Sequence, residues 1–214
     1  MSRAEARRTL GIADPAEDRA SSLAMATRLV PYKGIDDAMR ALADHRAQSW
    51  TLHVYGIRDA AHPAEADALR RLAADAGVAE RVRLHPARDD IGSLFAAFDA
   101  VAVLTKAVPG SAITTESFSM VALEAQQAGT PVISVAPVCE RVGDGGIGVR
   151  PGCPSDVARA LQQIADGQFP ARLHPEGRAP PRRAPPPPAK TGPCVGLMWG
   201  KCYWARRTPH NTMG

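Results

Sequence analysis

The sequence predicts an α/β protein of the Rossmann-like, doubly wound kind. Three observations carry this: strand-like and helical patterns alternate through the first ~168 residues, the strand runs are continuously apolar, and the segment from Phe169 onward abandons both patterns. An unbroken apolar strand suits a parallel sheet buried on both faces. Two regions follow, a Rossmann-like domain over residues 1–168 and a Pro/Arg-rich tail over 169–214 that is expected to remain disordered.

Leu23 to Leu29 reads as the first buried strand. Ile35, Met39, Leu42 and Ala43 then recur at helical spacing and mark one apolar face. Thr51 to Tyr55 is the second strand, ended by Gly56, and the helix after it carries Leu69, Leu72 and Ala76 with Gly77 as its C-terminal cap. Val82 to Leu84 is a third strand. A short helix around Ser93 to Ala97 leads into a fourth, Ala100 to Leu104. The helix from Met120 to Ala128 has Ser117 and Ser119 as candidate caps and stops at Gly129, before the strand Pro131 to Val135. Ser155 is expected to cap a last helix bearing Val157, Leu161 and Ile164, closed by Gly167. The glycine-rich run Gly143 to Val149 lacks the preceding strand and following helix of a dinucleotide fingerprint and reads as an ordinary loop.

The net charge of +4 does not point to nucleic acid. The 46 residues from Phe169 hold eight Lys/Arg against one acid, leaving 18 basic and 21 acidic residues before them, so the body is mildly acidic. That same segment contains ten of the 19 prolines, and its apolar residues follow no period, so it cannot bury enough surface to offset its ordering entropy. Trp199, Tyr203 and Trp204 are unusual in a flexible linker, and a shifted reading frame or truncated coding sequence is the favoured origin of the tail. Cys139, Cys153, Cys194 and Cys202 form no CxxC pair and have no histidine at metal-ligand spacing; free thiols are expected. The opening residues lack an apolar targeting region, and no apolar run approaches a membrane span, so a cytoplasmic location is expected.

The chemistry concentrates in Ala112 to Val135, AITTESFSMVALEAQQAGTPVISV, where Glu116 and Glu124 are separated by seven residues. One carboxylate precedes a helix and the other lies about a turn inside it, while backbone N–H groups near Phe118, Ser119, Met120 and Val121 face the helix mouth. Those donors and the helix dipole favour an anionic or polyhydroxylated ligand. A second element, TRLVPYKGID, sets Arg28 at the end of the first strand and Lys33 at the turn into the first helix. Ligands of doubly wound sheets lie outside the carboxyl ends of the strands, where these cations would stand.

These two stretches resemble the E-x7-E and G-R-L-x-x-x-K-G elements of the donor-binding domain of retaining GT-B glycosyltransferases, the family 4 or group 1 type. The resemblance covers roughly residues 3–167 and implies that Glu116 holds the donor sugar and Glu124 the nucleotide ribose. It further implies that Arg28 and Lys33 neutralise the donor diphosphate and the charge that grows on the leaving group. Gly56 ends a strand beside the donor, and Leu84 and His85 fall near the base. The implied donor is a nucleotide-diphosphate sugar, with no metal or other cofactor and no nucleic-acid partner. Thr27 and Ser119 stand where many relatives have glycine, and Pro137, Val138 and Cys139 precede Glu140 where relatives have a Gly-Gly-x-x-Glu loop. The family also implies a separate acceptor-binding domain, for which nothing precedes Met1; this chain alone is expected to bind donor and turn over poorly. A non-catalytic nucleotide-sugar-binding or assembly subunit and a sugar-nucleotide epimerase are the other readings.

Overall fold

The computed structural model describes residues 1–13, 20–58, 60–107, 119–135 and 138–169. Six strands form one parallel sheet: β1 (Ser21–Leu29), β2 (Trp50–Arg58), β3 (Val82–Pro86), β4 (Ala100–Val103), β5 (Val132–Val135) and β6 (Gly146–Val149), in the order β3-β2-β1-β4-β5-β6. The order reverses between β1 and β4. Connections from β1 run outward to one edge and connections from β4 to the other, which opens a crevice between these two strands at their carboxyl ends.

One face of the sheet is covered by α2 (Ile35–Leu42), α3 (Glu65–Asp75) and α7 (Pro154–Ala165). Met39, Leu42, Leu69, Leu161 and Ile164 pack there against Leu23, Met25, Leu52, Val54 and Ile133. The other face carries α1 (Arg3–Leu10), α4 (Ile91–Leu94), α5 (Met120–Gln127) and α6 (Val138–Val142), with Phe95 and Phe98 buried over Ala24, Val101 and Val132. Strand residues alternate between these two cores, as a sheet buried on both sides requires. Phe169, placed by the sequence reading at the head of the tail, packs against the first core, and its N–H donates to the Gln163 carbonyl. The rest of the tail lies outside the described residues.

The sequence reading located β1, β3, β4, β5, α2, α3, α5 and α7 to within a residue or two. It missed α1, which a capping box opens: the Ser2 hydroxyl accepts from the Glu5 N–H while the Glu5 carboxylate accepts from the Ser2 N–H. Arg7 is buried beneath this helix, where its guanidinium donates to the carbonyls of Ala13 and Ala97. Arg3 pairs with Asp99 at 2.7 Å, and Asp99 in turn accepts from the Ser22 N–H, fastening α1 to the amino ends of β1 and β4.

Four expectations are corrected. Gly56 does not end β2, which continues to Arg58; a Cβ there would stand 2.4 Å from Leu29 Cδ2, so the glycine makes room for a neighbouring strand's side chain. The residues read as a loop form a 3₁₀ turn, Gly143–Gly145, and the edge strand β6, which pairs with β5 on one side. The cap of α7 is Cys153 rather than Ser155, because Pro154 occupies the first helical position, where its fixed φ and missing N–H fit. Cys139 is a buried free thiol, but Cys153 is held in a disulfide, which spacing along the chain could not reveal.

Candidate functional site

The crevice at the switch point is built from three elements. The carboxyl end of β1 passes through Val30 into a 3₁₀ turn, Pro31–Lys33, which Pro31 opens and Gly34 closes. Gly34 has φ +72°, and a Cβ on it would lie 2.3 Å from the Leu104 carbonyl oxygen, so only glycine lets this turn rest on the end of β4. The Lys106 N–H donates to the Tyr32 carbonyl at 2.7 Å and fixes the contact. Lys33 is thereby held over the crevice, with Nζ 3.4 Å from the hydroxyl of buried Thr105.

Lys106 fixes the turn from the other side. Its ammonium reaches the Asp36 carboxylate at 2.7 and 2.9 Å and Asp37 Oδ2 at 3.4 Å, and Arg40 also pairs with Asp36. Burial opposes ionisation of Asp36, but Lys106 and Arg40 outweigh it and hold its pKa below the usual carboxylate value. At Asp37 burial and the neighbouring Asp36 charge prevail, and its pKa is raised. These acids sit in the first turn of α2, where the helix dipole also favours negative charge.

The third wall is the amino end of α5. Ser119 is its N-cap, with φ −129° and ψ 115°, an extended conformation that any L-residue adopts, so the loss of the relatives' glycine costs nothing in backbone strain. The Ser119 hydroxyl accepts from the Ala122 N–H at 3.3 Å. One of the helix's open donors is therefore satisfied internally, and the N–H groups of Met120 and Val121 remain toward the mouth. Lys33, Thr105, Ser119 and Val121 line one cleft with Met25 to Thr27 of β1 and Ala102 to Leu104 of β4. Its volume is about 30 Å³, so it can seat a charged group without enclosing a whole ligand.

The other residues named from the sequence stand as follows. Arg28 is exposed beside this cleft, donating from Nη2 to the Tyr32 hydroxyl at 2.6 Å with its guanidinium carbon 6.0 Å from that ring's centre. Glu124 is half-buried on the flank of α5, its carboxylate against Gly92 of α4. Leu84 packs toward the α2–α3–α7 core, whereas His85 faces the opposite side. Glu116 and Phe118 lie outside the described residues.

His85 belongs to a group that sequence reasoning did not assemble. Its ring stacks on Tyr55 at 4.4 Å and on His53 at 5.3 Å, and His85 Nε2 lies 3.1 Å from His53 Nδ1. Burial, reinforced by the neighbouring His85 and Arg83, pushes the His53 pKa down to about 4; burial and Arg83 also lower that of His85. Both rings are neutral at pH 7, so one donates its N–H to the other's lone pair. Tyr55 is 4% exposed, its hydroxyl has no hydrogen-bond partner among the described residues, and burial raises its pKa to about 12. A cleft of about 230 Å³ lies over this group, lined by Leu10, Tyr55, His85, Pro86 and Arg88. Tyr55, Thr105 and Lys106 were absent from the sequence-based site. An aromatic alternating with His53 along a strand was the available signal for the first, and a cation just past a strand end for the last.

The comparisons with known proteins meet this geometry. The family described as Glycosyl transferases group 1 matches residues 20–166, most of the chain. This chain belongs to the group 1 glycosyltransferases. It is 35% identical over 189 residues to a D-inositol 3-phosphate glycosyltransferase of Rhodococcus opacus, covering 84% of this chain and 39% of that protein. A protein of the same description from Streptomyces griseus is 37% identical over 153 residues, 66% of this chain and 31% of that one. The chain thus spans well under half the length of these relatives. Among solved structures, Anabaena Alr3699/HepE in complex with UDP and glucose superposes with a TM-score of 0.66 at 24% identity, covering 79% of this chain and 44% of that chain. The C-terminal domain of a Francisella tularensis group 1 glycosyl transferase, LpcC, superposes at 0.61 with 19% identity, covering 76% of this chain and 86% of that domain. The shared fold is the Rossmann-like half of a GT-B glycosyltransferase. Among the described residues no helix is long and apolar enough to cross a membrane.

Proposed function

We propose that this group 1 glycosyltransferase chain is a donor-binding half, which holds a nucleotide-diphosphate sugar for transfer with retention of anomeric configuration. The observation that carries the reading is the meeting of Lys33 with the amino end of α5 in one cleft at the β1–β4 switch point. A diphosphate there gains a cation and the Met120 and Val121 N–H donors, and both become more valuable as negative charge grows on the departing nucleotide. Arg28, one turn away, adds a second cation from the solvent side. Neutralisation is assigned to these side chains, with no metal required.

The nucleoside is read as lying across the sheet toward β3, two strands from β1 and about 10 Å away at the usual strand spacing. Glu124 takes the ribose hydroxyls and the base meets the ring of His85 and the unpartnered Tyr55 hydroxyl. Glu116 is assigned to the sugar hydroxyls, since a carboxylate can accept from a vicinal diol at both oxygens. UDP is the first nucleotide to test, because a structure of the same fold binds it. Acceptor identity is carried by the remainder of the relatives' length and is not assigned.

Calorimetric titration of the chain with UDP-, GDP- and ADP-sugars tests the proposal. Saturable binding of one class, weakened by removal of Lys33, is expected; a folded chain that binds none of them overturns the reading. Transfer on addition of a separately supplied acceptor domain is the expected second result. Donor binding without transfer in that mixture would assign the chain to the non-catalytic binding class instead.

A further inference from the structure

Gly92 lies in α4, between the segment that bears His85, Pro86 and Arg88 and the buried ring of Phe95. A Cβ built on it would stand 2.7 Å from both Cδ and Oε2 of Glu124 and 3.2 Å from Cγ. A Cβ does not approach non-bonded heavy atoms so closely, so the Glu124 carboxylate occupies the volume that any side chain at position 92 would fill. The carboxylate has no hydrogen-bond or ion-pair partner among the described residues. Its placement is therefore steric: α5 carries it, and the bare backbone of Gly92 gives it a seat.

We propose that Gly92 is a positioning residue for Glu124, selecting the rotamer in which the carboxylate addresses the ribose of the nucleotide. The inference rests on the assignment of Glu124 to the ribose made above. The backbone does not demand glycine here, since α4 is helical and Gly92 is not among the positive-φ glycines. Alanine is the better helix former of the two and narrows the unfolded ensemble. The collision involves the far end of a flexible side chain, which can swing away while the fold stays intact. The consequence of Gly92→Ala is thus a displaced carboxylate in a protein as stable as the parent.

The test compares UDP with 2′,3′-dideoxyuridine diphosphate by calorimetry, with thermal unfolding of each variant alongside. The parent is expected to prefer UDP by roughly ten- to a hundredfold, the usual worth of hydrogen bonds to a charged group. Gly92→Ala should keep its Tm and its affinity for the dideoxy probe while the preference collapses toward unity. Adding Glu124→Asp to Gly92→Ala withdraws the carboxylate by one methylene and should restore part of the preference, although Glu124→Asp alone weakens it; a merely structural glycine would give no such coupling. A Gly92→Ala variant that retains the full preference, or that loses both probes equally, overturns the role of Gly92 while leaving the donor site standing. A parent that binds UDP no better than the dideoxy probe overturns the ribose assignment and this inference with it.

Discussion

Replacing Lys33 with alanine removes the cation that the turn Pro31–Lys33 brings to the cleft. Its Nζ lies 3.4 Å from the Thr105 hydroxyl, at the mouth where an arriving phosphate would meet it. A hydrogen bond to a charged group contributes about 1.5–3 kcal/mol, so Lys33→Ala should weaken nucleotide-diphosphate binding roughly ten- to a hundredfold with Tm unchanged. Equal binding by parent and variant would remove Lys33 from the site. The His53–His85 pair makes a different demand. The His53 pKa falls from its ordinary 6.5 to about 4, chiefly through burial, so between those values the unfolded chain binds more protons than the folded one. Stability is full above pH ~6.5 and is lost as pH falls toward ~4, by about 2–3 kcal/mol in total. Urea unfolding midpoints measured from pH 7 to pH 4 should show this slope, and His53→Gln should flatten it. A variant with the parent's slope would place the acid sensitivity elsewhere.

At the scale of the element, the turn Pro31–Lys33 and its closing glycine decide whether β1, α2 and β4 meet. Gly34→Ala forces an L-residue to φ +72° and drives its Cβ into a backbone carbonyl that cannot rotate away. The left-handed conformation alone costs about 1–2 kcal/mol, and the contact with Leu104 adds to it. Gly34→Ala should therefore lower both Tm and nucleotide affinity, in contrast to Lys33→Ala, which lowers affinity alone; an unchanged Tm would show that α2 can shift to absorb the methyl group. The elements that could be read from the sequence are those with four or more apolar residues at a fixed period, such as β4 and α7. α1 escaped because only Ala6 and Leu10 face the core and its other buried residue is Arg7, which donates to a nearby carbonyl, that of Ala13, and to one far along the chain, that of Ala97. β6 escaped because glycine supplies half its residues and its pairing with β5 is invisible before the sheet is assembled. Among the site residues, Lys33 and Ser119 were legible because each sits in a local turn or cap. Thr105 becomes recognisable only when the end of β4 lies beneath the turn, and Tyr55, though it alternates with His53, gains its stack on His85 only when β2 lies beside β3.

Across the whole molecule, the residues that bind and the residues that hold the fold occupy opposite ends of the sheet. The cleft with Lys33 and Ser119 is at the carboxyl ends, while the amino ends are closed by polar fastenings, Arg3 with Asp99 on one face and Arg81 on the other. Arg81, in the 3₁₀ turn before β3, donates to the carbonyls of Leu42 at 2.7 Å, Ala47 at 3.0 Å and Trp50 at 3.3 Å. One guanidinium thus joins the end of α2, the following turn and the start of β2, beside the fully buried Trp50 ring. Arg81→Ala leaves these carbonyls without their charged donor and should cost about 1–3 kcal/mol, a large share of the 5–15 kcal/mol by which a domain is typically stable. Because no atom of Arg81 is near the switch point, the folded fraction of the variant should bind nucleotide with the parent's Kd. Denaturant unfolding and calorimetry on the same preparation check both halves of this expectation. If Arg81→Ala weakened binding in the fully folded protein, the two ends of the sheet would be coupled through β2, and the site would depend on the register of a strand that carries Tyr55 to its cleft.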